Sequence, residues 1–318
     1  MSKTPAESMS LLTKDVKWIF CGGMIRSGST LQYQLVCNLL ERAGIGSGGG
    51  FYDGSKDLSD YAEPQGVTVV KSHIFDMPIQ KAFLKNEAIG FYIYRDIRDV
   101  AVSAMRKFSV SFPDLLNKQW LDYAINAGSL WESQNKVRSF RYETSVNDIE
   151  TFIKTTAEDL EIEIRMEDIQ SLAQEHSLKE QRKRADDLKE SCRQVDDITQ
   201  LHFDHIAAGA AGIWRGSLNR EQQDTLNILF GDWLQQKDYE VSQVENLLAK
   251  SIANWRKGEC IRQKENFSNL VKSRTELAIS KENMKARIAN LLEEKNSILK
   301  ELNVLKRRYR IFEKLLGR

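Results

Sequence analysis

The 318-residue chain predicts an α/β fold, a parallel sheet flanked by helices, followed by a long C-terminal coiled-coil helix. Three observations predict it. Short apolar runs alternate with stretches whose apolar residues fall at helical spacing, the pattern of a parallel sheet covered on both faces. A glycine-bearing turn joins the first apolar run to the first helical stretch. Beyond Gly258 an apolar seven-residue repeat runs without Pro or Gly until Gly317.

The elements follow in order. Residues 1–15 are polar and read as a flexible N-terminus. Trp18 to Cys21 reads as a buried strand, and Leu31, Leu35, Leu39 and Leu40 then fall on a helix. Gly44 to Gly54 is rich in Gly and Ser and reads as a loop. Val67–Val70 and Ile89–Tyr94 are the second and third strands, with a helix from about Asp99. Another helix covers about 114–135, and Arg138 to Tyr142 is a short strand. Residues 148–200 are mostly helical and charged, and Gln181 to Asp187 reads as a solvated helix face or loop. An amphipathic helix over 220–236 carries Leu226, Leu229, Phe230 and Trp233 on one face. These elements make a domain over 16–240, with a linker helix at 241–260 and the coiled coil at 261–318.

In that last segment Leu277, Met284, Leu291, Ile298, Leu305 and Phe312 recur every seventh residue. Phe267, Ile288, Leu302, Tyr309 and Leu316 fill the alternating position, as a left-handed coiled-coil seam requires. Arg274, Lys281 and Lys295 also lie in the seam, where they weaken it but select register. The pattern implies a homo-oligomer, or else one amphipathic helix folded back on the domain.

Composition excludes several classes. The net charge is +1, so nothing suggests bulk attraction to nucleic acid or an anionic membrane. No apolar run approaches the ~18 residues of a membrane span. The N-terminus lacks a signal-peptide core. The four cysteines form no CxxC pair, so no disulfide framework or metal site is expected, and a reducing, cytoplasmic location is the simpler reading.

The chemistry gathers at strand ends, where parallel sheets bind ligands. After the first strand comes Gly22-Gly23-Met24-Ile25-Arg26-Ser27-Gly28-Ser29-Thr30, opening into a helix. Strand, glycine turn and helix N-terminus together make a P-loop-type anion cradle. The spacing from Gly23 to Gly28 is that of a nucleoside-triphosphate loop, but Ser29 stands where Lys would reach the β- and γ-phosphates. The cation is Arg26 instead, which suits a 5′-phosphate-type group. Alone, the segment also fits an ordinary strand–helix turn. After the second strand comes Lys71-Ser72-His73. After the third come Arg95-Asp96 and, eight residues beyond Arg95, Ser103. After the fourth comes Tyr142-Glu143. One edge therefore gathers Arg26, Lys71, His73, Arg95 and Ser103, a polyanion site with one titratable base.

These motifs resemble the sulfotransferase family. Arg26 to Thr30 is similar to its loop P-[KR]-S-G-[ST]-[ST], which holds the 5′-phosphosulfate of 3′-phosphoadenosine 5′-phosphosulfate (PAPS). Arg95 with Ser103 resembles the pair that grips the 3′-phosphate. Lys71-Ser72-His73 is similar to K-[ST]-H, whose His is the catalytic base. Tyr142-Glu143 resembles a pair near the adenine, and Gly212-Ile213-Trp214-Arg215 a late G-x-W-[KR] segment. The resemblance covers about 16–239 in the family's order. It implies in-line sulfuryl transfer from PAPS, without metal, to a hydroxyl or amine of a small-molecule, glycan or lipid acceptor. Arg26 and Lys71 serve as charge-stabilising groups and His73 as the base. Ser27, Gly28, Ser29, Thr30, Arg95, Ser103 and Tyr142 join Arg26 in binding the nucleotide.

Two departures stand out. Ile25 replaces the usual Pro. Ala207-Ala208-Gly209 aligns with an Arg-Lys-Gly that helps hold the 3′-phosphate, which passes that task to Arg98, Arg215 or Arg220. The rival readings are a P-loop kinase or NTPase, which needs Lys at position 29, and a non-catalytic coiled-coil scaffold with a relic nucleotide site.

Overall fold

The computed structural model describes residues 15–63, 66–203 and 210–241, together with Arg287. The chain divides into two units, Met1–Lys250 and Ser251–Arg318, and every described residue except Arg287 belongs to the first. The heptad segment, the linker 241–260 beyond Val241 and the N-terminal 14 residues lie outside the described residues.

The first unit begins β1 (Trp18–Gly23), α1 (Ser29–Ala43), β2 (Gly46–Tyr52), a short 3-10 turn (Leu58–Tyr61), β3 (Val67–Ser72), α2 (Met77–Leu84) and β4 (Ala88–Tyr94). It continues with α3 (Ile97–Phe108), α4 (Phe112–Asn117), α5 (Trp120–Glu132), β5 (Val137–Arg141) and α6 (Tyr142–Asn147). Then follow α7 (Ile149–Asp159), α8 (Met166–Glu175), α9 (Leu178–Glu190), α10 (Trp214–Ser217) and α11 (Arg220–Gln236). The strands form one sheet in the order β2-β3-β1-β4-β5. Every neighbouring pair is parallel. All five carboxyl ends therefore share one edge, and the predicted parallel α/β architecture is the one observed.

Strand residues alternate between two cores because successive side chains point to opposite faces. Trp18, Phe20, Val70 and Tyr92 pack with α2, α3, α5 and α11. Ile19, Cys21, Val69, Ile89 and Phe91 pack with α1, α7 and α8. Trp131 of α5 is fully buried against Phe20, Phe75 and Phe83. A ring of that size buried in full is worth about 3–5 kcal/mol against alanine.

Two readings are corrected. The segment Gly44 to Gly54 is no loop, since Gly46–Tyr52 is the edge strand β2. Its glycines carry no β-propensity, which hid it. They are needed for close approach: a Cβ on Gly49 would stand 2.6 Å from both Thr68 Cγ2 and Tyr61 O. The ladder to β3 also bulges between Gly48 and Gly50, where Gly50 takes φ +98°. The helix expected over 114–135 is two helices, α4 and α5, separated by Gln119 in the left-handed region at φ 54°.

Gly50→Ala is expected to destabilise the domain by roughly 1–2 kcal/mol, because a Cβ is strained at that φ. The urea midpoint should fall accordingly, and an unchanged midpoint would show that the bulge relaxes.

Candidate active site

The loop between β1 and α1 is shaped from within. Ser27 is buried, and its hydroxyl lies 2.7 Å from Met24 O and 2.9 Å from Ile93 O, where it serves as the donor. Arg26 at φ 63° and Gly28 at φ 89° are both left-handed. Gly28 has no room for a side chain, since a Cβ would stand 2.7 Å from the Tyr142 ring. Helix α1 starts at Ser29, and its N-cap residue Gly28 supplies no side-chain cap. The N–H groups of Ser29, Thr30 and Leu31 have no intrahelical acceptor, and with the helix dipole they favour an anion. Ser27 thus shapes the loop from within, while Ser29 and Thr30 open the first turn of α1.

Lys71, at the end of β3, is buried, and its ammonium donates to Thr30 Oγ1 at 2.8 Å. It has no carboxylate partner among the described residues. Desolvation, with the nearby Arg26 charge, pushes its pKa down to about 8.

His73 follows directly. Its Nδ1 lies 2.8 Å from Gly23 O. A carbonyl only accepts, so in the neutral ring the proton sits on Nδ1 and the Nε2 lone pair is open. Burial first, then the Lys71 charge, lowers its pKa to about 4, so the imidazole is neutral at pH 7. The ring of Phe51, at the end of β2, stands edge-on to this imidazole with centroids 5.6 Å apart.

Arg95 and Ser103 join the same edge. Arg26 Nε donates to Ser103 Oγ at 3.0 Å, tying the loop to α3. Arg95 is buried, stacks on the Tyr142 ring at 4.4 Å, and donates to Ala210 O at 2.9 Å and Asp99 Oδ2 at 3.4 Å. Its Nε is buried without a partner among the described residues. An orphaned guanidinium donor beside an uncapped helix start fits a phosphate-bearing ligand.

All the predicted site residues thus meet at one edge: Arg26, Ser27, Gly28, Ser29, Thr30, Lys71, His73, Arg95, Ser103 and Tyr142. Glu143 turns away, accepting from Asp96 N at 3.0 Å and Tyr239 Oη at 2.9 Å. Arg98 is not available to replace the late cations. It is fully buried, bidentate on Asp96 at 3.0 and 2.8 Å, and stacked on Trp214. Arg215 pairs with Glu240 and Arg220 with Asp224 on the surface. Ala207–Gly209 and His205 lie outside the described residues. Sequence reasoning missed Phe51 and what Asp99 does beyond pairing with Arg95. Asp99 accepts from Gly212 N at 2.7 Å and Trp214 N at 3.0 Å, and so docks the 212–214 segment beside Arg95. Its helical spacing from Arg95 (i, i+4) was the available signal. Phe51 gave none, being inside the glycine run.

A family model described as a sulfotransferase domain matches residues 17–238. Among solved structures, retinol dehydratase in complex with androsterone and inactive cofactor PAP is similar at 19% identity and TM-score 0.52, over 73% of this chain and 84% of that one. Mouse sulfotransferase SULT7A1 complexed with PAP is similar at 16% identity and TM-score 0.54, over 75% of this chain and 89% of that one. At such identities the likeness is one of fold. Among curated proteins no sequence matches the chain. No helix of the described residues is long and apolar enough to cross a membrane.

Two histidines, His176 buried and His73 half-buried, predict how stability depends on pH. His73 and His176 both have folded pKa values of about 4, against an ordinary 6.5. Between those values the unfolded chain binds more protons, so the stabilising effect is complete above about 6.5 and is lost as pH falls toward 4. Urea melts from pH 7.5 to 4.5 should show that decline, shallower in His176→Asn. A flat profile would contradict the depressed pKa of both rings.

Proposed function

Because the chain belongs to the sulfotransferase family, we propose that it moves a sulfuryl group from PAPS to a hydroxyl or amine of a small-molecule acceptor, with His73 as general base. The observation that carries this reading is Lys71: a buried ammonium without a carboxylate, beside an imidazole whose Nε2 is open. A buried cation left uncompensated is costly, and a bound anion relieves it. The two PAP-bound structures of this fold support the nucleotide, and the androsterone held by one of them supports a small-molecule acceptor.

PAPS supplies the activated sulfuryl group. Arg26, the loop N–H groups, Ser29 and Thr30 hold the phosphosulfate end. Arg95 and Ser103 hold the 3′-phosphate, and Tyr142 sets the Arg95 plane by stacking. His73 Nε2 takes the acceptor proton as the acceptor oxygen or nitrogen bonds to sulfur. The bridging S–O bond breaks, and Lys71 with Arg26 offsets the charge that grows on the departing phosphate. Positioned donors of this kind act in a water-poor site, where they are worth more than in bulk solvent.

Calorimetry with 3′-phosphoadenosine 5′-phosphate, ATP and AMP tests the site. The bisphosphate should bind best, and Arg95→Ala should weaken it by about 1.5–3 kcal/mol through loss of a charged donor. A preference for ATP would move the reading to a nucleotide kinase or NTPase. His73→Ala should keep nucleotide affinity and lose roughly 10²–10⁴ in turnover. Wild-type turnover in that variant would remove His73 as the base.

The segment after residue 240 we read as a linker helix over 241–260 and a self-associating coiled coil over 261–318. Deleting 260–318 should leave a folded domain of lower oligomeric state by light scattering. An unchanged mass per assembly would refute association through the tail.

A further inference from the structure

The bulge in β2 has a consequence for the site. Gly48 pairs with Val69 and Gly50 with Val70, leaving Gly49 without a ladder partner. Phe51 then falls opposite Lys71 and Tyr52 opposite Ser72. In an unbulged ladder Gly49 would pair with Val70, and Phe51 would stand opposite Ser72 with its ring on the other face of the sheet. Gly50 N–H donates to Tyr33 Oη at 3.1 Å, which pins the bulge to α1. A device that costs three glycines in one strand thus brings one aromatic ring to the face of Lys71.

That ring touches two groups of the site. The Lys71 ammonium lies 5.4 Å from its centroid, and the His73 imidazole stands edge-on to it at 5.6 Å and 61°. The His73 ring is held at Nδ1 by Gly23 O, which fixes one atom but leaves the ring plane free to rock about that hydrogen bond. The Phe51 contact limits that motion. The ring stands at the β2 edge of the sheet, with β3 and β1 between it and β4, the strand that leads to Arg95.

We propose that Phe51 is a positioning residue of this site: its ring fixes the His73 imidazole and shields it, with the Lys71 ammonium, from water. Phe51 acts through His73 and Lys71 and takes no proton itself. The inference rests on the reading of His73 as base, but its test does not require turnover.

The test follows the His73 ring protons by NMR in the full chain without nucleotide, with the signal assigned from His73→Gln. The charged groups that bear on this ring are Lys71 and Arg26. In the wild type His73 should titrate well below 6.5 and show nuclear Overhauser contacts to the Phe51 ring. Phe51→Ala admits water, so the His73 midpoint should rise by about one pH unit or more, because desolvation is the largest cause of its depression. Phe51→Tyr keeps the ring and should restore the wild-type midpoint. A midpoint unmoved by Phe51→Ala, or a rise that Phe51→Tyr does not reverse, would overturn the proposal. If Phe51→Ala does not fold, the wild-type spectra decide: no Phe51–His73 contacts, or a wild-type midpoint near 6.5, overturns it. Failure of the chain to bind bisphosphate or transfer a sulfuryl group would count against the proposed reaction and leave this result standing.

Discussion

The site is organised by a buried positive charge that no carboxylate among the described residues neutralises. Lys71 lies under the start of α1, itself the positive end of a dipole, and near Arg26. Its ammonium donates to Thr30 Oγ1 and lies beside the Phe51 ring, and neither group carries a full negative charge. The neighbouring carboxylates are committed elsewhere. Asp96 holds Arg98, Asp99 holds the Gly212 and Trp214 amides, and Glu143 holds the Asp96 amide and the Tyr239 hydroxyl. Positive potential is therefore concentrated where a polyanion would sit, and the acids that could quench it support the surrounding backbone.

Holding that arrangement requires a stiff sheet edge. Gln32 of α1 donates one amide nitrogen to Gly22 O at 3.0 Å and Phe91 O at 2.8 Å, bridging the ends of β1 and β4 beneath the loop. Ser27 makes a second bridge to Ile93 O. The loop backbone is thus fixed from below, and the N–H groups of the first turn of α1 stay directed outward. Arg26 and Ser103 meet across the top at 3.0 Å, so the β1–α1 loop and α3 are joined before any ligand arrives. Preorganisation of this kind lowers the cost of ordering the site on binding.

The legible parts of the fold were those where pattern and burial agree. β1, β3 and β4 are apolar runs with both faces covered, so their composition announced them. The site was legible for the same reason: strand ends in a parallel sheet share an edge, so residues far apart in sequence could be placed together from topology alone. What stayed hidden was set by tertiary contact. β2 has glycines where Thr68 and Tyr61 approach, which erased its strand signature. Arg98 looked like a spare cation, because its bidentate hold on Asp96 and its Asn227 and Glu240 contacts depend on α11 and the chain after it folding back onto α3. Asp99 pairs with Arg95 four residues away, but its shorter bonds go to a segment more than a hundred residues away.

Two histidines share a depressed pKa, and the comparison shows why that property does not identify a base. His176 is buried between α1 and α9, where Asn38 meets one ring nitrogen at 2.8 Å and Gln181 the other at 3.1 Å. Both nitrogens are engaged, and Gln181 continues to Gln34, which in turn donates to Thr199 O. Such a ring ties elements together and has no lone pair to offer a substrate. His73 is depressed to the same value by burial and by two cations, yet only Nδ1 is engaged. The open Nε2 is what separates the roles, and a bound polyanion would act on His73 alone. Negative charge placed beside Lys71 and Arg26 would cancel the repulsion those cations exert on the imidazolium, so the proposed nucleotide would make His73 more basic. On the proposed reading, the site raises the basicity of its imidazole when the sulfuryl donor binds, and His176, which has Asn38 and Gln181 on its two nitrogens, receives no such benefit.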